Sequence, residues 1–319
     1  MKMFTIGPVQ MDKRVIKAND KGIEYFRNQE FSNKMFEIER LMLNLLHAPK
    51  EYKSIILTCS GTGGMDAVVS GLPLDKKMLI INGGTFGQRF VELCQFYNIP
   101  YDELKVEYNK EVLNKFCEEE DCYLIIDAIS SMFADEYDLS KFKADVTIFS
   151  SHKGLALAPG ICMVILSGKY INNVIDKYPS KSYYLDIRSH LKNMERGQTP
   201  FTPGLAEIQQ LYVRLKQLKS YENEIERIKN NAMFFRRCIK DLGYEYPSFS
   251  LSNCITPIIC PNGDADKILE YLKSKDIYVN PCGGENAKKV LRISHVGDLN
   301  ISDFKKLIKT MRSYKWRLF

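Results

Sequence analysis

The sequence predicts an α/β protein: a large domain with a mostly parallel sheet, followed by a small α+β domain. Between about residues 34 and 170, short apolar runs alternate with helical patterns. Strands separated by helices pair in parallel, with both faces of the sheet covered. A second alternation of strands and helices follows two long helical patterns nearer the C-terminus. The 319 residues are enough for one large and one smaller hydrophobic core.

The strands of the first region are short runs of apolar and β-branched residues, and its helices carry apolar residues at helical spacing. The predicted strands are residues 55–59, 78–81, 123–126, 146–149 and 161–166, and the predicted helices are residues 64–71, 88–97 and 111–119. Ligands bind at the carboxyl ends of strands in such sheets, so we expect functional residues where these strands end.

The C-terminal part begins with two helical patterns, residues 205–219 and 221–242. The second is long enough to connect to a separate lobe. The elements predicted in that lobe are strands at 254–259 and 290–294 and helices at 264–275 and 301–312. We therefore expect a large domain over residues 14–225 and a small domain over residues 226–319, to which residues 1–13 are added.

The composition is that of an ordinary globular protein, with 26% charged and 45% hydrophobic residues. The net charge of +6 is spread thinly and forms no basic stripe, so we expect no nucleic-acid partner. The nine cysteines are scattered without zinc-type spacing, so we expect no metal site and a reducing compartment. No stretch is long enough to span a bilayer, so we expect a cytoplasmic protein without membrane contact.

The first motif, "LTCSGTGGMDAVV", is a strand that runs into a glycine-rich turn at the start of a helix. Free backbone N–H groups at a helix start bind anions, and glycine lets a phosphate approach closely. The Ser-Gly-Thr-Gly-Gly turn is therefore a candidate anion site. Asp66 stands where a dinucleotide-binding pattern needs its third glycine, and a plain tight turn is the alternative.

Two further motifs end predicted strands. "LIIDAISSM" places the carboxylate of Asp127 on the ligand edge of the sheet, with a turn or helix-capping aspartate as the alternative. "SSHKG" places Lys153 between two apolar strands, although lysine is rarely buried. A lysine in apolar surroundings has a lowered pKa, and its neutral amine can react with a carbonyl carbon.

Lys153 has two other interpretations. Together with Ser150 it fits the Ser-x-x-Lys pattern of serine acyl-transferases, but the partner motifs are missing, and Gly154 and Pro159 oppose the helix that this pattern needs. A strand-end lysine whose amine extends to solvent is the second alternative.

The fourth motif, "VLRISHVGD", places Arg292 on a strand of the small domain, where its planar guanidinium could bind a carboxylate at two points. A surface arginine is the alternative. A phosphate site, a strand-end aspartate and a strand-end lysine in this order suit pyridoxal phosphate. The phosphate lies on the helix start, Asp127 pairs with the ring nitrogen, and Lys153 holds the aldehyde carbon.

With these motifs the chain resembles the fold-type I, class-V pyridoxal-phosphate aminotransferases over nearly its whole length. Within them it is most similar to the alanine–glyoxylate, serine–pyruvate and 2-aminoethylphosphonate–pyruvate transaminases. "FTIGPVQ" is similar to the family's N-terminal Gly-Pro region, and "NGGTFGQRF" to the segment whose aromatic residue, here Phe86, stacks on the cofactor ring. "GQTPFTPG" is similar to the segment that crosses the dimer interface, so Thr202 would reach the partner subunit's phosphate.

The resemblance implies a large domain with a mostly parallel sheet of the seven-stranded type, a small C-terminal α+β domain, a homodimer and pyridoxal 5'-phosphate as cofactor. It implies Lys153 and Asp127 as the catalytic residues and Arg292 as the residue that binds the substrate carboxylate. The implied cofactor contacts are Ser60, Gly61, Thr62, Phe86, Asp127, His152, Lys153 and Thr202.

Two departures from the family pattern bear on the reaction. Between Pro100 and Asp127 nothing matches the family's Glu-x-Ser/Thr-Thr-Gly segment, whose hydroxyl contacts the cofactor's ring oxygen. The Ser-x-His-Lys order before Gly154 resembles cysteine desulfurases, and Cys282 could stand for their mobile-loop cysteine.

We therefore expect a transaminase that moves an amino group from a small amino donor to a 2-oxo acid such as pyruvate or glyoxylate. The alternatives are a 2-aminoethylphosphonate–pyruvate transaminase and a desulfurase-like β-eliminating enzyme. A binding protein that kept the fold but lost the chemistry, and a Rossmann oxidoreductase, are two further alternatives.

Overall fold

A computed structural model of the chain describes residues 1–20, 22–105, 122–248 and 250–315. The α/β class is confirmed. The helices are α1 (Lys13–Ile16), α2 (Gln29–Leu45), α3 (Gly61–Ser70), α4 (Thr85–Tyr97), α5 (Leu139–Phe142), α6 (Gly168–Tyr170), α7 (Ile187–Met194), α8 (Leu205–Gln217), α9 (Tyr221–Asp241), α10 (Ala265–Lys273) and α11 (Ile301–Lys315). In the part of the chain that the structure describes, no helix is both long and apolar enough to cross a bilayer.

The strands are β1 (Lys2–Met3), β2 (Lys53–Leu57), β3 (Met78–Asn82), β4 (Tyr101–Lys105), β5 (Ile125–Asp127), β6 (Val146–Ser150), β7 (Cys162–Leu166), β8 (Ile255–Ile259), β9 (Ile277–Tyr278), β10 (Asn280–Pro281) and β11 (Val290–Ser294). The main sheet has the order β2-β7-β6-β5, and β3 pairs with β4 in a separate two-stranded sheet. In the small lobe β10-β11-β8 form an antiparallel sheet, and β1 pairs in parallel with β9.

Among the described strands of the main sheet, β2, β5 and β6 run in one direction, as expected for a mostly parallel sheet, and β7 alone runs against them. β5 and β6 are parallel, and so are β3 and β4, whereas β7 is antiparallel to both β6 and β2. The reason lies in the connection from β6 to β7, residues 151–161, which carries Lys153. A parallel return needs a crossover of about a dozen or more residues, usually with a helix, and this loop is too short for one.

The core of the large domain lies on both faces of the main sheet. Strands β6 and β7 are buried along their whole length, and successive residues point to opposite faces. Ile148 packs into the cluster beneath α3 and α4, and Phe149 packs into the cluster beneath α2 and α8. A third cluster, which includes Phe4, Phe235 and Phe304, forms the core of the small lobe.

Most predicted elements are present, with bounds shifted by one to three residues at most ends. Several observed elements are absent from the predicted ones, among them helices α2 and α7 and strand β4. Helix α2 has a clear physical basis, because Asn28 caps its start by accepting a hydrogen bond from the Phe31 N–H at 2.9 Å, and Phe31, Met35, Ile38 and Met42 form a buried stripe. The predicted helix 111–119 lies outside the described residues.

Candidate active site

The glycine-rich turn forms an open helix start at the end of β2. Ser60 is the N-cap of α3, with extended backbone angles (φ −77°, ψ 172°), and its side chain makes no capping hydrogen bond. The Gly64 N–H donates to the Ser60 carbonyl at 3.3 Å, which closes the first turn. The N–H groups of Gly61, Thr62 and Gly63 precede that turn, and helix geometry leaves them without an intrahelical acceptor. This arrangement can bind an anion.

The glycines of this turn are required by packing. A Cβ atom on Gly64 would lie 2.4 Å from Cys162 Sγ and 2.8 Å from Ile148 Cγ2. A Cβ on Gly61 would lie 2.5 Å from Ile129 Cδ1. Helix α3 therefore lies directly on the sheet, and its first turn sits at the carboxyl ends of β5 and β6.

Ser150 is a polar residue at this helix start that sequence reasoning did not select for it. Its hydroxyl is buried and has no hydrogen-bond partner among the described residues. Residues i and i+2 of a strand face the same side, so Ser150 faces α3 as Ile148 does, one step closer to the first turn of the helix. An unpaired buried hydroxyl costs stability, and a bound ligand oxygen would satisfy it. The Ser-x-x-Lys spacing between Ser150 and Lys153 is the sequence feature that could have indicated Ser150 as a site residue.

Asp127 is the last residue of β5, as predicted. One carboxylate oxygen accepts a hydrogen bond from the Ile129 N–H at 2.9 Å. Burial raises the pKa of Asp127, while that hydrogen bond and the Lys153 charge act in the opposite direction. Among the residues that the structure describes, none donates a hydrogen bond to the second carboxylate oxygen, which can therefore accept one from a ligand.

Lys153 lies in the loop after β6, and only 9% of it is exposed. Burial lowers the pKa of its amine; Cys254 and Asp127 act to raise it, and Arg292 acts with burial to lower it. Burial likewise lowers the pKa of the adjacent His152, with the Lys153 charge adding to the effect, so the imidazole is neutral near pH 7. A lysine this buried does not fit the alternative in which its amine extends to solvent.

The N-terminal segment closes over the Lys153 amine. Gly7 has φ +147°, and a Cβ atom there would lie 2.9 Å from Lys153 Cε and 3.0 Å from Nζ. The neighbouring Ile6 N–H donates to Asn280 Oδ1 at 2.8 Å, which fixes this segment to the small lobe. The similarity of "FTIGPVQ" to the family's N-terminal Gly-Pro region did not predict that Gly7 contacts the lysine.

Arg292 lies on β11, opposite Asn280 of β10. Its Nε and Nη2 donate to the Pro281 carbonyl at 3.0 and 2.8 Å. The two-point geometry expected for a carboxylate is thus occupied by a backbone oxygen, and a substrate carboxylate would have to compete for it. The guanidinium is close enough to Lys153 to affect the pKa of that amine.

Phe86 and Thr202 lie at the edges of the site. Phe86 is in the first turn of α4 and is 50% exposed. Thr202 is exposed in the loop before α8, and no hydrogen bond joins it to the other candidate residues in the part of the chain described here. Its loop is anchored near the phosphate turn, because the Gly204 N–H donates to Thr58 Oγ1 at 2.9 Å.

Comparison with known proteins identifies the family. The sequence profile of the class-V aminotransferase family matches residues 107–296, more than half of the chain. The chain belongs to the class-V aminotransferases. It is an aminotransferase that uses pyridoxal phosphate. The family assignment rules out the oxidoreductase alternative and the non-enzymatic alternative.

Similar proteins are found among both sequences and solved structures. An uncharacterized aminotransferase of Helicobacter pylori (strain J99) is 24% identical over 339 residues, covering 93% of this chain and 89% of that protein. The 2-aminoethylphosphonate–pyruvate transaminase of Bacteroides fragilis is 24% identical over 312 residues, covering 84% and 85%. The structure of alanine–glyoxylate aminotransferase from Nostoc sp. matches with a TM-score of 0.89 at 19% identity, covering 98% and 94%, and shows the same fold.

The residues of this class-V aminotransferase fit its cofactor. Three features match the parts of pyridoxal phosphate: the open first turn of α3 with the unpaired Ser150 hydroxyl, the carboxylate of Asp127, and the buried amine of Lys153. They meet at one edge of the sheet. The ring-oxygen contact that is missing from the sequence would fall in 100–127, of which residues 106–121 lie outside the described residues.

Proposed function

We propose that this aminotransferase moves an amino group from a small amino donor to a 2-oxo acid such as pyruvate or glyoxylate. The observation that supports this most strongly is the Lys153 amine, buried between Asp127 and Gly7 with a lowered pKa. The lowered pKa makes the neutral amine, which can accept a proton, easier to form, and its position after β6 suits a base that moves a proton to and from a substrate carbon.

The cofactor, when bound, supplies an electron sink for the substrate's carbon–hydrogen bond. The chain's own residues would bind the cofactor and orient its ring. Ser60, Gly61, Thr62 and Ser150 would bind the phosphate, and Asp127 would hold a proton on the ring nitrogen. His152, neutral near pH 7, would lie beside the ring and Phe86 across it.

Arg292 is the candidate for the carboxylate that amino donors and 2-oxo acids share. A guanidinium offers two parallel N–H donors, so it orients a carboxylate as well as attracting it. Substrate would displace the Pro281 carbonyl from this position. A donor that carries a phosphonate instead, as for 2-aminoethylphosphonate, would present a dianion to the same guanidinium, which keeps that alternative open.

The desulfurase-like alternative needs a reactive thiolate near the amine. Among the described residues, the cysteine that affects the pKa of Lys153 is Cys254, which is 4% exposed. Burial raises the pKa of Cys254 to about 12, so the thiol stays protonated and is a poor nucleophile. Cys282, partly buried, follows β10 and donates its backbone N–H to the Val290 carbonyl at 2.9 Å. These observations favour transamination over sulfur transfer.

We further propose a cytoplasmic homodimer with a large domain over 14–225 and a small domain over 226–319 with 1–13. The exposed Thr202 adjoins Phe201, which stacks on Tyr184 with ring centres 4.9 Å apart and 17° between planes. Tyr183 beside them is 87% exposed. Exposed aromatic side chains of this kind are typical of subunit contacts. Sedimentation of the holoenzyme should give a dimer, and a fully active monomer would contradict the role of Thr202.

The substrate proposal is tested by incubating the holoenzyme with serine or 2-aminoethylphosphonate, each against pyruvate and against glyoxylate, and with alanine against glyoxylate. We expect amino transfer from at least one of these donors, measured as new amino acid by mass spectrometry. Lys153→Ala is the control and should form none. Release of sulfide or alanine from cysteine, without amino transfer from any donor, would favour the β-eliminating alternative.

A further inference from the structure

Arg89, on α4, connects two parts of the candidate site that no motif connects. Its Nη1 donates a hydrogen bond to Thr62 Oγ1 at 2.7 Å. Its guanidinium carbon also lies 5.6 Å from the centre of the Phe86 ring, over the ring face. Thr62 belongs to the phosphate turn of α3, and Phe86 lies one helical turn before Arg89. A single half-buried side chain thus contacts both elements.

The contact with Thr62 fixes the direction of its hydroxyl proton. A guanidinium has five N–H donors and no acceptor, so Thr62 can only accept from Arg89. The hydroxyl proton is then left for a different acceptor. The acceptor expected at the first turn of α3 is an anion, because the free N–H groups of that turn attract one. Arg89 therefore prepares Thr62 as a donor to a phosphate oxygen.

The contact with Phe86 covers one face of the ring. A guanidinium over an aromatic face is attracted by the ring's electron density, and residues three apart on a helix face each other. Phe86 is half-exposed, so part of its ring surface is accessible to a planar ligand. The planar guanidinium can satisfy both contacts together, which the compact ammonium of a lysine cannot do.

We propose that Arg89 is a positioning residue of the cofactor site, which couples the phosphate turn to the aromatic residue that stacks on the cofactor ring. The proposal rests on the proposed assignment of Thr62 and Phe86 to pyridoxal phosphate. It predicts that cofactor affinity and ring orientation depend on Arg89 through these two residues.

The test uses purified apoproteins titrated with pyridoxal phosphate. We expect Arg89→Met to raise the dissociation constant about tenfold, as loss of a hydrogen bond from a charged donor does. Thr62→Val should have a similar effect. The double variant should bind better than the product of the two single effects predicts, because both substitutions remove the shared contact between Arg89 and Thr62. Arg40→Met removes an exposed arginine of α2 and should leave the dissociation constant unchanged.

A second readout separates positioning from general destabilisation. Visible circular dichroism of the bound cofactor reports the orientation of its ring. Arg89→Lys keeps a charge and a donor but loses the planar contact with Phe86. It should therefore recover part of the affinity while its dichroism band stays altered. If Arg89→Met does not fold, Arg89→Lys and Thr62→Val carry the same comparison.

The outcomes distinguish this proposal from the function on which it rests. Wild-type affinity and dichroism in both Arg89 variants, with weaker binding in Thr62→Val, would overturn the role of Arg89 and leave the site intact. Fully multiplicative effects in the double variant would also overturn it, because Arg89 would then act independently of Thr62. Failure of the wild-type apoprotein to bind pyridoxal phosphate would instead refute the proposed function.

Discussion

Gly7 is the residue at which the N-terminal segment contacts the Lys153 amine, and replacing it gives a specific prediction. In Gly7→Ala the new methyl carbon would lie 2.9 Å from Lys153 Cε and 3.0 Å from Nζ, and 3.1 Å from His152 Cδ2. Ordinary contacts begin near 3.4 Å, so the amine must move by about half an ångström. Catalytic groups tolerate displacements of only about that size, and a shift of about 1 Å can cost about a hundredfold.

We therefore expect kcat/KM of Gly7→Ala to fall about tenfold. The residue also has φ +147°, so the backbone strain of alanine should lower the free energy of unfolding by about 1–3 kcal/mol. The matched control is Gly22→Ala, where φ is +86° and nothing lies within 4 Å of the added atom. It carries backbone strain without the contact, and its kcat/KM should stay at the wild-type value.

The assay is steady-state transamination alongside thermal unfolding of each variant. The added methyl group should also bury the Lys153 amine further and so lower its pKa. The rate at which the apoprotein captures pyridoxal phosphate should then reach its plateau at lower pH than in the wild type. A Gly7→Ala enzyme with wild-type kcat/KM and a wild-type pH profile would refute the contact between this segment and the lysine.

Three other predictions concern the residues around the cofactor. Asp127→Ala should slow turnover on the order of a thousandfold, about 4 kcal/mol in the barrier, as measured by single-turnover kinetics; a near-normal rate would place the essential carboxylate elsewhere. Arg292→Ala should lower kcat/KM at least about tenfold for donor and acceptor while the cofactor spectrum is unchanged, and unaltered kinetics would make it a structural arginine. Because burial and the Arg292 charge both lower the pKa of Lys153, the same variant should raise that pKa and move cofactor capture to higher pH. Ser150→Ala should weaken cofactor binding by roughly tenfold to a hundredfold in equilibrium titration, and unchanged affinity would leave its buried hydroxyl unexplained.

Much of the site could be predicted because it lies where strands end. A strand pattern ends at Asp127, and Lys153 falls between two strand patterns, so local periodicity was enough to place both at one edge of the sheet. The glycine-rich turn was predictable for the same reason, since the pattern changes there from strand to helix. The position of Arg292 on a strand was predicted, whereas its hydrogen bonds to the Pro281 carbonyl were not predicted.

The rest depends on contacts between distant parts of the chain, which periodicity does not describe. Gly7 meets Lys153 because Ile6 is fixed to Asn280, 274 residues away in sequence. The contact between Arg89 and Thr62 joins two helices, and the direction of β7 depends on the length of the loop before it. Each of these features follows from packing in three dimensions.

The central claim, that Lys153 is the residue that holds the cofactor, has one direct test. The holoenzyme is treated with borohydride, which makes the bond between lysine and cofactor permanent, then digested and sequenced by mass spectrometry. We predict a single modified peptide that contains "SSHKG", with the added mass on Lys153. Modification at another of the lysines, with Lys153 unmodified, would contradict the account.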